Sequence, residues 1–290
     1  MHSYKTGALL VIIAGVIWSL MGLAIRNIEA ASAWQILLYR SAGMVPVLLT
    51  FVAIRSGGRP LQQIVRTGWA GIVGALGLLA AFAGAIIALQ ATTVANAVFL
   101  FAAAPFLTAL LAWALLGEQV RPATRAAIAI AAVGVIIMVR EGLSGGAAAG
   151  NIAALISALG FAAFTVTLRW GKLEDMVAAV LLGALVSMLA AALMLVWSGT
   201  SLRVSLWDGA LSAAMGAVLL SGGMVLYTFG SRAVPAAETA LLSMLEILLA
   251  PLWVWLFLGE TATATTFAGG AVLLVAVAFN AISGARVAPA

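Results

Sequence analysis

The feature that most constrains this chain is a succession of ten long apolar runs, separated by short stretches that carry charges, glycine or proline. A helix needs about 20 apolar residues to cross a bilayer core of about 30 Å. A membrane β-barrel would instead show alternating strands of about ten residues. The runs therefore predict an all-α integral membrane protein with ten transmembrane helices, near residues 7–25, 33–54, 68–88, 92–116, 122–139, 149–168, 177–197, 208–231, 235–258 and 263–283.

The composition supports this class and excludes several others. The chain is 65% hydrophobic and only 8% charged, whereas soluble domains carry about 25% charged residues. The net charge of +5 comes from scattered basic residues without a basic stripe, so no nucleic-acid partner is expected. The absence of cysteine excludes disulfides, thiolate metal sites and cysteine nucleophiles. We expect neither a cofactor nor a bound metal ion.

An intramembrane enzyme is the competing class. Gly142-Leu143-Ser144-Gly145 has the Gly-x-Ser-Gly form of rhomboid proteases, but it lies in a predicted loop. The one histidine is His2, and a buried serine nucleophile needs a base. The sequence also contains no phosphate-binding P-loop and no nucleotide-binding domain, so neither an enzyme nor a self-contained ATP-driven pump is expected.

The basic residues predict the orientation in the membrane. With a cytoplasmic N-terminus, ten of the 14 lysines and arginines fall on the inner side, three on the outer side, and Arg40 lies within the second run. Cytoplasmic loops carry an excess of such residues. We therefore predict a bacterial inner-membrane protein with both termini in the cytoplasm.

An internal repeat divides the chain. Trp113-Ala-Leu-Leu-Gly-Glu118 returns 142 residues later as Trp255-Leu-Phe-Leu-Gly-Glu260, and Ile25-Arg26 matches Leu168-Arg169 at a similar offset. Each half holds five runs, and because five is odd the second half must enter the membrane inverted. Inverted repeats are typical of secondary transporters, which bind substrate near the midplane between the halves. We predict two inverted five-helix repeats, 1–145 and 146–290, around a central cavity.

Ten spans in two halves, with Leu-Gly-Glu closing the fourth span of each, resemble the EamA branch of the drug/metabolite transporter superfamily. Ala104-Pro105 in the fourth span matches the family's proline, whereas the second half has Ile247 there and Pro251 four residues later. Glu246 fits a family variant with an acidic residue before the kink. The resemblance implies export of amino acids, other small metabolites or toxic organic cations. Length and aromatic content are most similar to the YddG-type amino acid exporters.

Two charged residues inside the spans are candidate substrate-binding groups. Glu246 lies near the middle of the ninth span, where a carboxylate is costly unless it is paired, hydrated or protonated. It is interpreted either as a proton- or ammonium-binding group or as a structural hydrogen-bond acceptor. Arg40 has the chemistry to bind a substrate carboxylate, but snorkelling or a fixed salt bridge is the preferred interpretation. Pairing between Arg40 and Glu246 is a further alternative.

Asn96 and Glu238 are equivalent under the 142-residue offset, at the starts of the fourth and ninth spans. They are candidate gate or helix-end groups, and N-terminal capping is the preferred interpretation. Glu118 and Glu260 are likewise expected to cap the following helix or close its turn.

The remaining candidates are aromatic residues and prolines within the spans. An aromatic wall would suit apolar or cationic substrates, although packing or lipid contact is the simpler interpretation of any single ring. Prolines should bend their helices and free backbone carbonyls. The aromatic candidates are Trp18, Tyr39, Phe82, Phe99, Phe101, Phe161, Phe164 and Tyr227, and the candidate hinges are Pro105 and Pro251.

These patterns together predict a secondary active exporter of amino acids or related small metabolites that works by alternating access. The alternatives are a proton-coupled exporter of lipophilic organic cations and a membrane channel or receptor. The expected partners are the lipid bilayer, a small-molecule substrate and protons as a coupling ion. A monomer is expected, with a dimer as the alternative.

Overall fold

The computed structural model describes residues 4–144, 147–172 and 176–285. Across these ranges the chain is helical without β-strands, and ten helical segments are long and apolar enough to cross a membrane. The all-α class and the ten predicted spans are therefore confirmed, with ends that differ by a few residues. Gly145, in the Gly-x-Ser-Gly segment, lies outside the described residues.

The first half of the chain contains seven helices. A short exposed helix, α3, follows the second span and was not expected from the apolar pattern. The helices are α1 Tyr4–Arg26, α2 Ala33–Arg55, α3 Pro60–Arg66, α4 Gly68–Ala91, α5 Val94–Phe101, α6 Ala104–Leu116 and α7 Pro122–Ser144.

The second half repeats this order without a counterpart of α3, and its eighth span contains a π-helix at Met215–Gly222. The helices are α8 Ala148–Trp170, α9 Met176–Trp197, α10 Leu206–Ala214, α11 Gly223–Gly230, α12 Ala236–Ser243, α13 Leu245–Leu258 and α14 Ala264–Ala285. After ten crossings the start of α1 and the end of α14 lie on the same side. We call that side of the bundle the terminal end and the other side the distal end.

The fourth and ninth spans are interrupted at equivalent places. The fourth span breaks between α5 and α6, directly before Pro105, as the proline predicts. The ninth breaks at Met244, 142 residues after Ala102, while α13 continues through Pro251. The role of Pro251 as a hinge stays a prediction. The interruption at Met244 shows that a break recurs at the equivalent place without a proline beside it.

The helices of one half pack mainly against helices of the other. Helix α4 packs along α8, α2 along α9, α7 along α14, and α1 against α11 and α13. Gly77 and Gly160 bring α4 and α8 together so closely that a Cβ atom on either would meet the backbone carbonyl of the other. Small residues at such crossings let membrane helices approach. Helices of both halves therefore contribute to the interior of the bundle.

The outer surface carries the apolar side chains that a bilayer requires. Leu189, Leu193 and Val275 are among many large apolar residues exposed along the spans. Trp69 and Trp197 are exposed close to helix ends, where tryptophan rings sit at membrane interfaces. The exposed belt places the bundle in lipid, and polar chemistry must therefore be sought inside it.

Candidate functional site

Arg40 is enclosed in the bundle, and no described residue pairs with its charge. It lies on α2 and is 2% exposed, and its guanidinium carbon lies 4.9 Å from the centre of the Phe82 ring on α4. The Nε and Nη2 atoms are buried and donate no hydrogen bond to any described residue. Neither ion pair found in the described residues involves Arg40. The preferred expectation of snorkelling or a fixed salt bridge is therefore wrong.

The backbone of α2 around Arg40 packs closely against the eighth span. The Arg40 carbonyl lies directly against Gly216 of the π-helix, and Gly43 packs in the same way against the Ala213 carbonyl. Segments of π-helix occur frequently at functional sites because they redirect side chains and backbone groups. An unpaired buried guanidinium is costly, and an anion bound against it would offset that cost. Among the described residues, Arg40 therefore lacks the counter-charge that would stabilise it.

Glu246 is the second unpaired charge. It is half-buried in the first turn of α13, just after the interruption at Met244, and its backbone lies beside Gly15 of α1. Within the described part of the chain, the carboxylate makes no hydrogen bond or ion pair, so the alternative of a pair with Arg40 is not realised. The positive end of the α13 dipole favours a carboxylate at this position. Glu246 is therefore available to bind a proton or a cation.

Two aromatic candidates lie on the same side of α1 as Glu246. Trp18, one helical turn after Gly15, has its ring centre 5.5 Å from that of Tyr227 on α11. Its indole packs against Gly223, where any side chain would collide with it. The two rings form an apolar surface between α1 and α11, which is suited to the hydrocarbon part of a substrate.

The other aromatic candidates are not gathered at this surface. Phe99 and Phe164 are buried in two different apolar clusters. Phe101 is half-buried and packs against the cluster that contains Phe99. Phe161 is 48% exposed beside a cavity at the terminal end. Tyr39 donates its hydroxyl to the Leu202 carbonyl near the distal end. Of the eight rings, the structure brings only Phe82, Trp18 and Tyr227 close to the unpaired charges.

Asn96 and Glu238 occupy equivalent positions and make equivalent contacts between the halves. Thr93 caps α5, and the Asn96 side chain instead donates to Thr92 Oγ1 and to Asn151 on α8. Glu238 on α12 accepts a 2.5 Å hydrogen bond from the Tyr4 hydroxyl on α1. The expectation that these side chains cap their own helices is wrong. Each joins the start of its span to the first helix of the other half.

The repeated Leu-Gly-Glu closes a helix with its backbone and joins the two halves with its side chain. Gly117 and Gly259 adopt φ values of 69° and 67°, and the following amides of Glu118 and Glu260 bond back to the helix. The expected turn is therefore present. The carboxylates do not cap the following helix, since each forms an ion pair with an arginine of the other half.

Asp208 is a buried polar residue that the sequence reasoning missed. It is 1% exposed and accepts hydrogen bonds of 2.9, 3.0 and 3.0 Å from the amides of Glu29, Ala30 and Ala31. Ser205 caps α10 through the Asp208 amide, and Ser-x-x-Asp at a helix start was the available signal. The interaction fastens the loop after α1 to the start of the eighth span.

Comparison with known proteins gives the family. The model of the EamA-like transporter family matches residues 5–140 and again residues 148–282. The chain belongs to the EamA-like transporter family. The resemblance drawn from Leu-Gly-Glu and Ala104-Pro105 is thereby confirmed, and the protein is a multi-pass membrane transporter built from two EamA repeats. The inverted relation of the repeats stays a prediction.

The chain resembles curated exporters along nearly its whole length. It is 26% identical over 279 residues to the pseudopaline exporter CntI of Pseudomonas aeruginosa strain UCBPP-PA14, and the aligned region covers 94% of each chain. The same values hold for CntI of strain PAO1. A crystal structure described only as "Crystal structure of protein" has a TM-score of 0.65 and 20% identity, covering 99% of this chain and 100% of its own. That likeness supports the fold alone.

Proposed function

We propose that this EamA transporter exports amino acids or related small metabolites across the bacterial inner membrane by alternating access. The observation that carries the substrate class is Arg40, an enclosed guanidinium that forms no ion pair and no hydrogen bond with the residues that the structure describes. Ionisable residues inside a membrane bundle mark substrate or ion pathways. A guanidinium binds a carboxylate through two parallel hydrogen bonds, and the Arg40 Nε and Nη2 atoms are both free for this.

Glu246 supplies the opposite charge. It remains unpaired although Arg40 lies in the same bundle. Two unpaired charges of opposite sign suit a zwitterion, whose carboxylate would meet Arg40 and whose ammonium group would meet Glu246. Protonation of Glu246 after the substrate leaves would couple export to proton entry. The Trp18 and Tyr227 rings would contact the apolar part of the substrate.

Alternating access is supported by how the two repeats interleave. Both repeats break their fourth span at the same place, and each repeat contacts the first helix of the other through equivalent residues. Two such repeats in inverted orientation would open one end of the bundle while closing the other. The positive-inside rule places the terminal end, with both termini, in the cytoplasm.

The curated relatives favour export as the direction of transport. CntI is named as a pseudopaline exporter. Because the chain is 26% identical to it over 279 residues, pseudopaline belongs in the substrate panel beside amino acids.

Lipophilic organic cations are the second candidate class. The half-buried carboxylate of Glu246 beside the Trp18 and Tyr227 rings is the arrangement that would favour them. Arg40 opposes this assignment, since an enclosed positive charge repels a cation. A carboxylate substrate therefore requires the positive charge of Arg40, whereas a cationic substrate requires the negative charge of Glu246.

The test is transport in liposomes that contain the purified protein. Uptake of labelled amino acids, pseudopaline and an organic cation would be measured with and without a pH gradient. We expect saturable uptake and counterflow of at least one carboxylate substrate, which a channel would not show. Uptake of the cation alone, or no saturable uptake of any carboxylate substrate, would refute the proposed substrate class.

Substitutions test the separate roles that we propose for Arg40 and Glu246. Arg40→Ala should abolish uptake of the carboxylate substrate, whereas Arg55→Ala should not, although Arg55 lies on the same helix and its guanidinium also stacks on a phenylalanine. Glu246→Gln should remove the effect of the pH gradient, with the exposed Glu29→Gln as the control. Unchanged pH dependence in Glu246→Gln would exclude Glu246 as the coupling group.

A further inference from the structure

The two repeated glutamates form crossed ion pairs between the halves. Glu260 Oε2 lies 2.6 Å from Arg26 Nε, and Glu118 Oε2 lies 2.9 Å from Arg169 Nη1. Arg26 and Arg169 lie in the last turn of the first helix of their respective halves, α1 and α8. The glutamate that closes the fourth span of one half thus binds the arginine that closes the first span of the other half.

The two pairs lie at opposite ends of the bundle. Arg26 ends the first span and therefore lies at the distal end, and Arg169 ends the sixth and therefore lies at the terminal end. We call Arg26–Glu260 the distal latch and Arg169–Glu118 the terminal latch. Because each latch joins one repeat to the other, relative movement of the repeats must pull on both.

The distal latch is enclosed and has further hydrogen bonds. Its side chains are 23% and 18% exposed. Arg26 also donates to the Leu89 and Thr92 carbonyls at 2.6 Å each, and Glu260 Oε1 accepts the Val94 amide at 2.6 Å. One arginine and one glutamate therefore hold together the ends of α1 and α4, the start of α5 and the end of α13. Charge-assisted bonds of this kind are strong when they are shielded from water.

The loops around the distal latch are closed as well. Asp208 binds three successive amides of the loop after α1, and the Trp207 indole donates to the Asn27 carbonyl. Gln35 on α2 donates to the Ser201 and Arg203 carbonyls of the loop after α9. Several contacts at the distal end thus join one repeat to the other.

The terminal latch is open to solvent. Its side chains are 53% and 45% exposed, and the Arg169 guanidinium has no other partner in the described part of the chain. The pair borders a cavity of about 450 Å³, which Ala104, Pro105 and Thr165 also line. An exposed ion pair of this kind contributes little stability. The two ends of the molecule therefore differ: the distal latch is shut and the terminal latch is weakly held.

We propose that Arg26, Glu260, Glu118 and Arg169 are positioning residues that control which end of the transporter is open. The distal latch holds the distal end closed while the terminal end is accessible, and the terminal latch becomes enclosed when the repeats rock to the other side. The proposal rests on the alternating-access part of the proposed function. It needs no assumption about which substrate is carried.

The absence of cysteine makes the test direct, because a single introduced thiol reports one position. Ala95→Cys lies in a cavity beside Glu260 at the distal end, and Ala104→Cys lines the terminal cavity. Labelling rates with a membrane-impermeant maleimide would be measured for each in detergent and in liposomes. Without further changes, Ala104→Cys should label the faster of the two.

Removing the distal latch should change the two rates in opposite directions. Arg26→Gln should raise the labelling rate of Ala95→Cys about tenfold and lower that of Ala104→Cys. Arg26→Lys should give labelling rates between those of the unchanged protein and Arg26→Gln. Arg169→Gln should leave Ala95→Cys protected. Arg203→Gln, which removes an exposed charge at the distal end, should change neither rate. Equal acceleration at both positions would mean simple loosening and would refute the proposal, as would unchanged rates.

Double substitution separates a latch from a folding defect. If the two distal side chains act as one unit, Arg26→Gln with Glu260→Gln should open the distal end no further than either change alone. Additive effects would refute a shared role. The labelling assay requires no substrate, so a shift in accessibility without amino acid uptake would refute only the substrate class. Saturable uptake with unshifted labelling would refute only the latches.

Discussion

Two buried charges in this protein differ in their hydrogen bonding, and the difference separates a structural residue from a candidate functional one. Asp208 and Arg40 are almost equally buried, at 1% and 2% exposure. Asp208 has three backbone amides bound to its oxygens, whereas two Arg40 nitrogens have no partner. A buried charge that is fully hydrogen-bonded fixes local structure, whereas an unbonded one inside a membrane bundle is a candidate for substrate or ion binding.

The structural role of Asp208 predicts a loss of stability when it is removed. Asp208→Ala would leave the Glu29, Ala30 and Ala31 amides without their acceptor, at a cost of roughly 2 kcal/mol. The unfolding temperature of the detergent-solubilised protein should fall. Glu29→Ala is the matched control, because Glu29 contributes its backbone amide to this site and its side chain is exposed. An unchanged unfolding temperature for Asp208→Ala would contradict the assigned role.

At the scale of elements, two departures from the regular α-helix determine where the functional groups lie. The interruption at Met244 places Glu246 in the first turn of a new helix, and the equivalent interruption follows Phe101 in the first half. The π-helix of the eighth span places Gly216 against the Arg40 carbonyl. Each departure lies beside one of the two unpaired charges, which is where irregular membrane helices are tolerated and used.

The close approach at the π-helix predicts a sharp difference between two glycines of the same segment. A Cβ atom at Gly216 would collide with the Arg40 backbone, whereas at Gly222 the nearest atom beyond the adjoining four residues is the Ala217 carbonyl of the same helix, at 4.0 Å. Gly216→Ala should therefore cost roughly 1–3 kcal/mol through forced backbone shifts. It should also lower transport, because Arg40 is displaced.

Gly222→Ala is the control for this comparison. It adds the same methyl group to the same helix in open space and should leave the unfolding temperature unchanged or slightly raised. Thermal unfolding in detergent and initial uptake rates would be measured for both variants. Equal behaviour of the two variants would contradict the described contact between the π-helix and α2.

At the scale of the whole molecule, the even number of spans and the distribution of basic residues predict one orientation. Thr200 lies in the loop between α9 and α10 at the distal end, and Gln62 lies on α3 at the terminal end. Both side chains are exposed. An impermeant maleimide should label Thr200→Cys in intact cells and Gln62→Cys only after the membrane is permeabilised. The opposite pattern would reverse the predicted topology and exchange the sides assigned to the two latches.

The sequence by itself determined the class, the span number and the family. Runs of about 20 apolar residues leave few folds other than a helical bundle in lipid. The Trp-x-x-Leu-Gly-Glu repeat at Glu118 and Glu260 led to the transporter family, because tryptophan, glycine and glutamate together are rare in lipid-facing helices. These features are local in the sequence, so they can be recognised without knowing which helices touch.

Only the tertiary structure decided what the charged and polar side chains contact. Arg40 was expected to snorkel or pair, yet it is enclosed and unpaired. Glu260 was expected to cap the following helix or close its turn; the turn is present, yet the carboxylate binds Arg26 across 234 residues of chain. The ninth span is interrupted at Met244, where the sequence has no proline. The physical reason is common to all three: partners and breaks depend on how the two repeats interleave, and the apolar pattern that specifies each helix contains no information about its neighbours.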